Sequence, residues 1–147
     1  MKDVRVTNEL KRIAAQNGGT LKADAVVDVA RNPRSVLHKY FEWNNSKAAE
    51  AHRIWQARQL ISVSVEYIGD SKVATPLFVS LSIDRHEGNG YRSLVNVLSD
   101  EDQRAQLLRD ALHDLQRLKS KYSTLQELAQ VFAAISKTQK TVRKKSA

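Results

Sequence analysis

With 147 residues, 41% of them hydrophobic and 27% charged, the chain has material for one compact domain or a small domain with a helical appendage. It has no cysteine, which excludes disulfides and thiolate metal sites. No apolar run approaches the roughly 18–20 residues that span a bilayer, and Met1-Lys2-Asp3-Val4-Arg5 lacks the apolar core of a signal peptide. The expectation is a cytoplasmic protein with no membrane partner.

The net charge of +8 is uneven. Residues 1–60 carry eleven Lys/Arg against six Asp/Glu, the middle of the chain is close to neutral, and the last eleven residues hold five cations and no acid. A basic surplus gathered on particular segments is the electrostatic footprint of a polyanion binder.

In chain order, four helical stretches are predicted over the first 61 residues. Thr7 caps a helix bearing Leu10, Ile13 and Ala14, which Asn17-Gly18-Gly19 stops. Thr20 opens a second, with Ala23, Val26, Val27 and Ala30 inward. Pro33 disfavours helix at Asn32, so residues 31–34 form a turn. A third helix runs from Ser35 to about Trp43, with Leu37, Tyr40 and Phe41 inward. Asn44-Asn45-Ser46 caps a fourth, running from Lys47 towards Ile61 with Ala48, Ala51, Ile54, Trp55 and Leu60 on its apolar face.

The period then changes to two. Val63, Val65 and Tyr67, then Leu77, Val79, Leu81 and Ile83, then the run from Tyr91 to Leu98 read as three strands. Short connections, among them the Gly88-Asn89-Gly90 turn, predict an antiparallel meander. Ser99 with Asp102 is a capping box opening a C-terminal helical region. Apolar residues at 108, 111, 115, 118, 122, 125, 129 and 132 form a heptad seam, which supports a coiled coil. A second capping box, Ser123 with Gln126, favours a break after Tyr122 and a hairpin with Leu128, Val131 and Ile135 facing back. Thr138 to Ala147 reads as a disordered basic tail.

The predicted fold class is therefore α+β: an N-terminal helix-turn-helix-like bundle, a three-stranded antiparallel meander, and a C-terminal helical hairpin or coiled coil. Residues 1–98 form the first domain, which the helices-then-hairpin order makes winged-helix-like. Residues 99–137 form the helical oligomerisation region and residues 138–147 the tail. A wing tip at Gly69-Asp70-Ser71-Lys72-Val73 carries one cation, a departure from that pattern.

The helix-turn-helix candidate is Leu10–Gln16, Asn17–Thr20 and Leu21–Arg31. Asp24 and Asp28 in its second helix would repel phosphates, so residues 31–34 and the side shared by Arg34, His38 and Lys39 are the better surface. The nucleic-acid-binding candidates are Lys11, Arg12, Lys22, Arg31, Arg34 and Lys39, with Lys140, Arg143, Lys144 and Lys145 adding salt-dependent attraction from the tail. Tyr40, Phe41, Trp43 and Trp55 suit packing better than base stacking. Arg85, His86 and Arg92 flank the 88–90 turn as a small polar patch. The four histidines share no i, i+4 spacing, so no metal is expected, and no catalytic arrangement or cofactor motif stands out.

Val36-Leu37-His38-Lys39-Tyr40-Phe41-Glu42-Trp43, Lys47-Ala48-Ala49-Glu50-Ala51, Gln56-Ala57-Arg58-Gln59-Leu60-Ile61, Gly90-Tyr91-Arg92 and Val97-Leu98-Ser99-Asp100 resemble blocks of small bacteriophage and prophage proteins. That resemblance implies a phage origin and a bacterial host cytoplasm, and it carries no catalytic residues. The expected function is non-enzymatic binding of duplex DNA by a homo-oligomer, a dimer through the C-terminal helices. The alternatives are a module that binds a host protein and a binder of RNA or single strands.

Overall fold

The computed structural model describes residues 3–43, 46–88 and 90–146, the side chains of residues 47 and 48 excepted. The chain divides into two compact units, residues 1–103 and 104–147. Seven α-helices and a small three-stranded antiparallel sheet among the described residues make it α+β, the predicted class.

The first helix, α1 (Val4–Gln16), starts three residues ahead of Thr7, because the Asp3 carboxylate accepts from Arg5 N and caps it. Val6, Leu10, Ile13 and Ala14 form its buried face. Its C-terminus closes as a Schellman motif: Gly18 and Gly19 take φ of +64° and +87°, and Gly19 N donates to Ala14 O. Thr20 does not open a helix. Thr20–Leu21 is strand β1, and α2 (Ala23–Ala30) follows with Val26, Val27 and Ala30 buried. The turn at Pro33 stands, with Asn32 Oδ1 accepting from Arg34 N. The expected third helix is a single 3₁₀ turn, His38–Tyr40, beside the buried Leu37 and Phe41.

Helix α3 (Lys47–Val63) is capped by Ser46, whose Oγ accepts from Ala49 N; Asn44 and Asn45 lie outside the described residues, as does the Ala48 side chain. Its inward residues are Arg53, Ala57, Leu60 and Ile61, whereas Ala51 and Trp55 are exposed. The helix runs through Val63, so the first expected strand shrinks to β2 (Val65–Glu66). The alternation there is inverted: Ser64 is buried, its hydroxyl donating to Leu60 O, while Val63 and Tyr67 face solvent.

β2 pairs antiparallel with β3 (Thr75–Pro76), Val65 opposite Pro76. The three-stranded sheet is built differently, in the order β1, β5 (Tyr91–Ser93), β4 (Phe78–Val79). Leu21 stands opposite Tyr91, and Phe78 opposite Ser93. The meander is thus corrected: a strand from the N-terminal helical region completes the sheet, so the pairing is long-range. Two further helices occupy sequence expected as strand. They are α4 (Ser82–His86) and α5 (Leu94–Ser99), the latter burying Leu94 and Val97 one turn apart. In α4, Ile83 is exposed and Asp84 fully buried, the reverse of the predicted alternation.

In residues 104–147, helix α6 (Glu101–Lys121) supplies one arm of a hairpin and α7 (Ala129–Ser146) the other, after a 3₁₀ turn at Gln126–Leu128. The break after Tyr122 is as expected, but neither capping box forms. Asp100 Oδ1, not Ser99, accepts from Gln103 N, and the Ser99 and Ser123 hydroxyls donate to Val95 O and Ser120 O. Phe132 and Ile135 are the buried residues of α7, while Val131 is exposed. The tail is helical to Ser146 rather than disordered, with the Thr138, Thr141 and Ser146 hydroxyls bonded four residues back; Ala147 lies outside the described residues.

Candidate nucleic-acid interface

The N-terminal candidates separate by partner. Lys11 Nζ lies 2.7 Å from Glu66 Oε2, and the Arg12 guanidinium grips Glu9 at 2.6 Å and Gln16 at 2.9 Å. That grip pushes the Glu9 carboxyl below its ordinary range and Arg12 above its own. Arg31 meets both Glu50 oxygens at 2.9 Å and Asp28 at 3.6 Å. Lys39 sits over the Tyr40 ring, 3.9 Å from Asp3. Lys22 and Arg34 are exposed and have no acid partner among the described residues. An exposed ion pair is weak, but it competes with a phosphate for its cation.

His38 does not join Arg34 and Lys39 on an exposed side. Its Nδ1 bonds Ala30 O at 2.8 Å and its ring stacks on Trp43 with centroids 4.8 Å apart. Trp43 donates to His38 O and carries the Arg53 guanidinium 5.4 Å from its ring centre, so this aromatic group is packing, as expected. Trp55 is the exception, 55% exposed and stacked against His52. The exposed residues of α2 include Asp24 and Asp28, which turns an acidic face outward where a recognition helix would meet phosphates.

The polar patch at the 88–90 turn also resolves into parts, Asn89 lying outside the described residues. Arg92 turns inward and holds the buried Asp84 with two bonds of 2.6 and 2.7 Å, which raises the arginine above its ordinary range. Among the described residues no group of three His, Asp or Glu is arranged to hold a metal ion.

Residues 104–147 contrast sharply. They hold ten Lys/Arg against three Asp/Glu, a net +7, whereas residues 1–103 hold fourteen against thirteen, a net +1. Lys137, Lys140 and Lys144 recur at i, i+3 and i+7, one stripe of α7, with Arg143 and Lys145 beside it; all five are exposed. The stripe lies opposite Phe132, Ile135 and Val142, the last of which helps line a groove with Arg109 and Leu112 of α6. Along α6 the seam residues Leu108, Leu115 and Leu118 are exposed by 43%, 38% and 46%.

The division falls at Gln103, so the acids at 100–102 belong to the first unit while Arg104 and Arg109 belong to the second. Comparison with protein-family models, with curated proteins and with solved structures gives no significant match for this chain.

Proposed function

We propose that this chain is a non-enzymatic nucleic-acid-binding protein whose ligand is duplex DNA, and that the hairpin of α6 and α7 carries most of the binding. The supporting observation is the +7 charge of residues 104–147, set against the near balance of the rest. A helix displaying five cations without an acid between them can neutralise several phosphates and release their counterions, without reading base identity. Because α7 is ordered as a helix, those cations lose less freedom on binding than a loose tail would. The resemblance to small phage and prophage proteins favours DNA over RNA as the ligand and implies a bacterial host cytoplasm as the setting.

The uncovered seam of α6 supports dimerisation, since leucines at heptad spacing are complementary to themselves. Two joined hairpins double the phosphate-facing charge and raise the effective concentration of the second site. The test is fluorescence anisotropy of labelled duplex, single strand and RNA over a salt series. Duplex binding with a steep salt slope supports the reading. A chain that binds none of them at low salt refutes it, and the exposed leucines would then be read as the seat of a host protein.

A further inference from the structure

Residues 1–103 contain a cleft of about 580 Å³, in the range of small-molecule sites, that none of the preceding uses. Four parts of the chain converge on it: the start of α2 with Lys22, one face of α3 with Arg58, α4 with Arg85, and Gly88, Gly90 and Tyr91 at the start of β5. In sequence these cations are 36 and 27 residues apart, so only the fold brings them together.

Their pairing sets them apart. In this unit Lys11, Arg12, Arg31, Arg53 and Arg92 each meet an acid within 3 Å. Lys22 and Arg58 meet none among the described residues, and Arg85 bonds the Ser80 carbonyl at 2.6 Å. The cleft also touches Asp84, but that carboxylate is fully buried and neutralised by Arg92. Asp24, exposed, accepts from Ala25 N and is the remaining acid of the lining, so three cations face one carboxylate.

Gly90 closes one side of the cleft. Gly90 sits at φ +90°, where an added Cβ would lie 2.4 Å from Leu21 O, so Gly90 packs directly against the backbone that positions Lys22. The Ser80 hydroxyl donates to Gly90 O, and the Ser80 carbonyl accepts from Arg85, so one residue links Gly90 to that arginine. Half-buried Tyr91 and Ile54 give the cleft an apolar side against which a flat ring can rest.

We infer that this cleft binds a phosphate group, held by Lys22, Arg58 and Arg85, with the organic body of the ligand against Tyr91 and Ile54. The phosphate comes either from a small phosphoester or from a nucleic-acid strand. The site is independent of the hairpin and goes beyond the function proposed above.

The test is calorimetric titration of the full chain at low salt with adenosine monophosphate, inorganic phosphate and adenosine. The first two should bind and adenosine should not. Lys22→Gln and Arg58→Gln are exposed replacements that leave the core untouched, and each should weaken the monophosphate about tenfold, the loss of one charge-assisted contact. Arg5→Gln, an exposed cation that does not line the cleft, should change nothing. To identify the source, a short duplex is added to the monophosphate complex of a chain whose α7 cations are neutralised. Displacement assigns the site to a strand, and no displacement assigns it to a small phosphoester. The inference is overturned if wild-type protein takes neither phosphate nor monophosphate at millimolar concentration, if adenosine binds as well, or if the Lys22→Gln/Arg58→Gln double variant binds unchanged.

Discussion

Replacing Lys140, Arg143, Lys144 and Lys145 together by glutamine removes four of the five cations of α7 and lowers the charge of residues 104–147 from +7 to +3. Glutamine is a good helix former and all four side chains are exposed, so α7 itself should persist. Each phosphate neutralised adds about 0.9 to the slope of log affinity against log salt, so four contacts account for about 3.6. Raising salt from about 50 to about 200 mM should then weaken the native protein about 150-fold more than the variant. The assay is anisotropy of a labelled duplex, with helix content checked by circular dichroism. The parallel variant replaces Lys22, Arg34 and Lys39, the N-terminal cations least engaged by acids, and should lower the slope by less than one. The reasoning fails if the α7 variant keeps its slope within about one unit of native, and it fails more informatively if the N-terminal variant takes the loss instead.

Dimerisation through the α6 seam has a signature of its own. Two +7 units repel, so sedimentation equilibrium should show self-association growing with salt while DNA affinity falls; Leu115→Lys with Leu118→Lys should give a monomer at every salt concentration. Asp84→Ala strips the partner from Arg92, whose side chain is 31% exposed and reaches water, so urea unfolding should show a loss of about 3 kcal/mol, the low end for a broken buried pair; a loss below about 1 kcal/mol would show the pair to be dispensable. Gly90→Ala must move either the turn or β1, and a destabilisation of at least about 2 kcal/mol is expected in the same assay. Glu50 is held below the ordinary carboxylate range by its bonds to Arg53 and then Arg31. A carboxyl lowered on folding stabilises above its unfolded pKa, and that contribution disappears as pH falls through the folded value. Thermal melts between pH 6 and pH 3 (the window about the ordinary glutamate value of 4.5) should therefore fall less steeply for Glu50→Gln than for native protein.

Features that depend on neighbours along the chain were readable before folding. The inward residues of α1 and α2, the glycine stop after Gln16, the turn at Pro33, the Ser46 cap and the break after Tyr122 all rest on helical spacing or local backbone chemistry. The α+β class and the basic surplus likewise follow from pattern and composition. The antiparallel pairing of the second and third expected strands formed, but the partners of Thr20, Leu21 and Asp84 were not anticipated, and among local readings the Thr7 cap and both capping boxes gave way to competing bonds. Thr20 and Leu21 look like the start of a helix until Arg92 and Tyr91 arrive to pair with them. Asp84 is buried because Arg92 meets it eight residues later, and no alternation rule anticipates a charge pointing inward next to an exposed isoleucine.

The candidate sites follow the same rule. Composition alone determined that this chain carries an excess of cations. Only the tertiary structure decided which cations are engaged: Lys11 by Glu66 across 55 residues, Arg31 by Glu50 across 19. It also placed Lys22, Arg58 and Arg85 around one cleft and divided the charge into units of +1 and +7. Charge is a property of the sequence, but its availability depends on distance, and distance between remote residues exists only once the chain has folded.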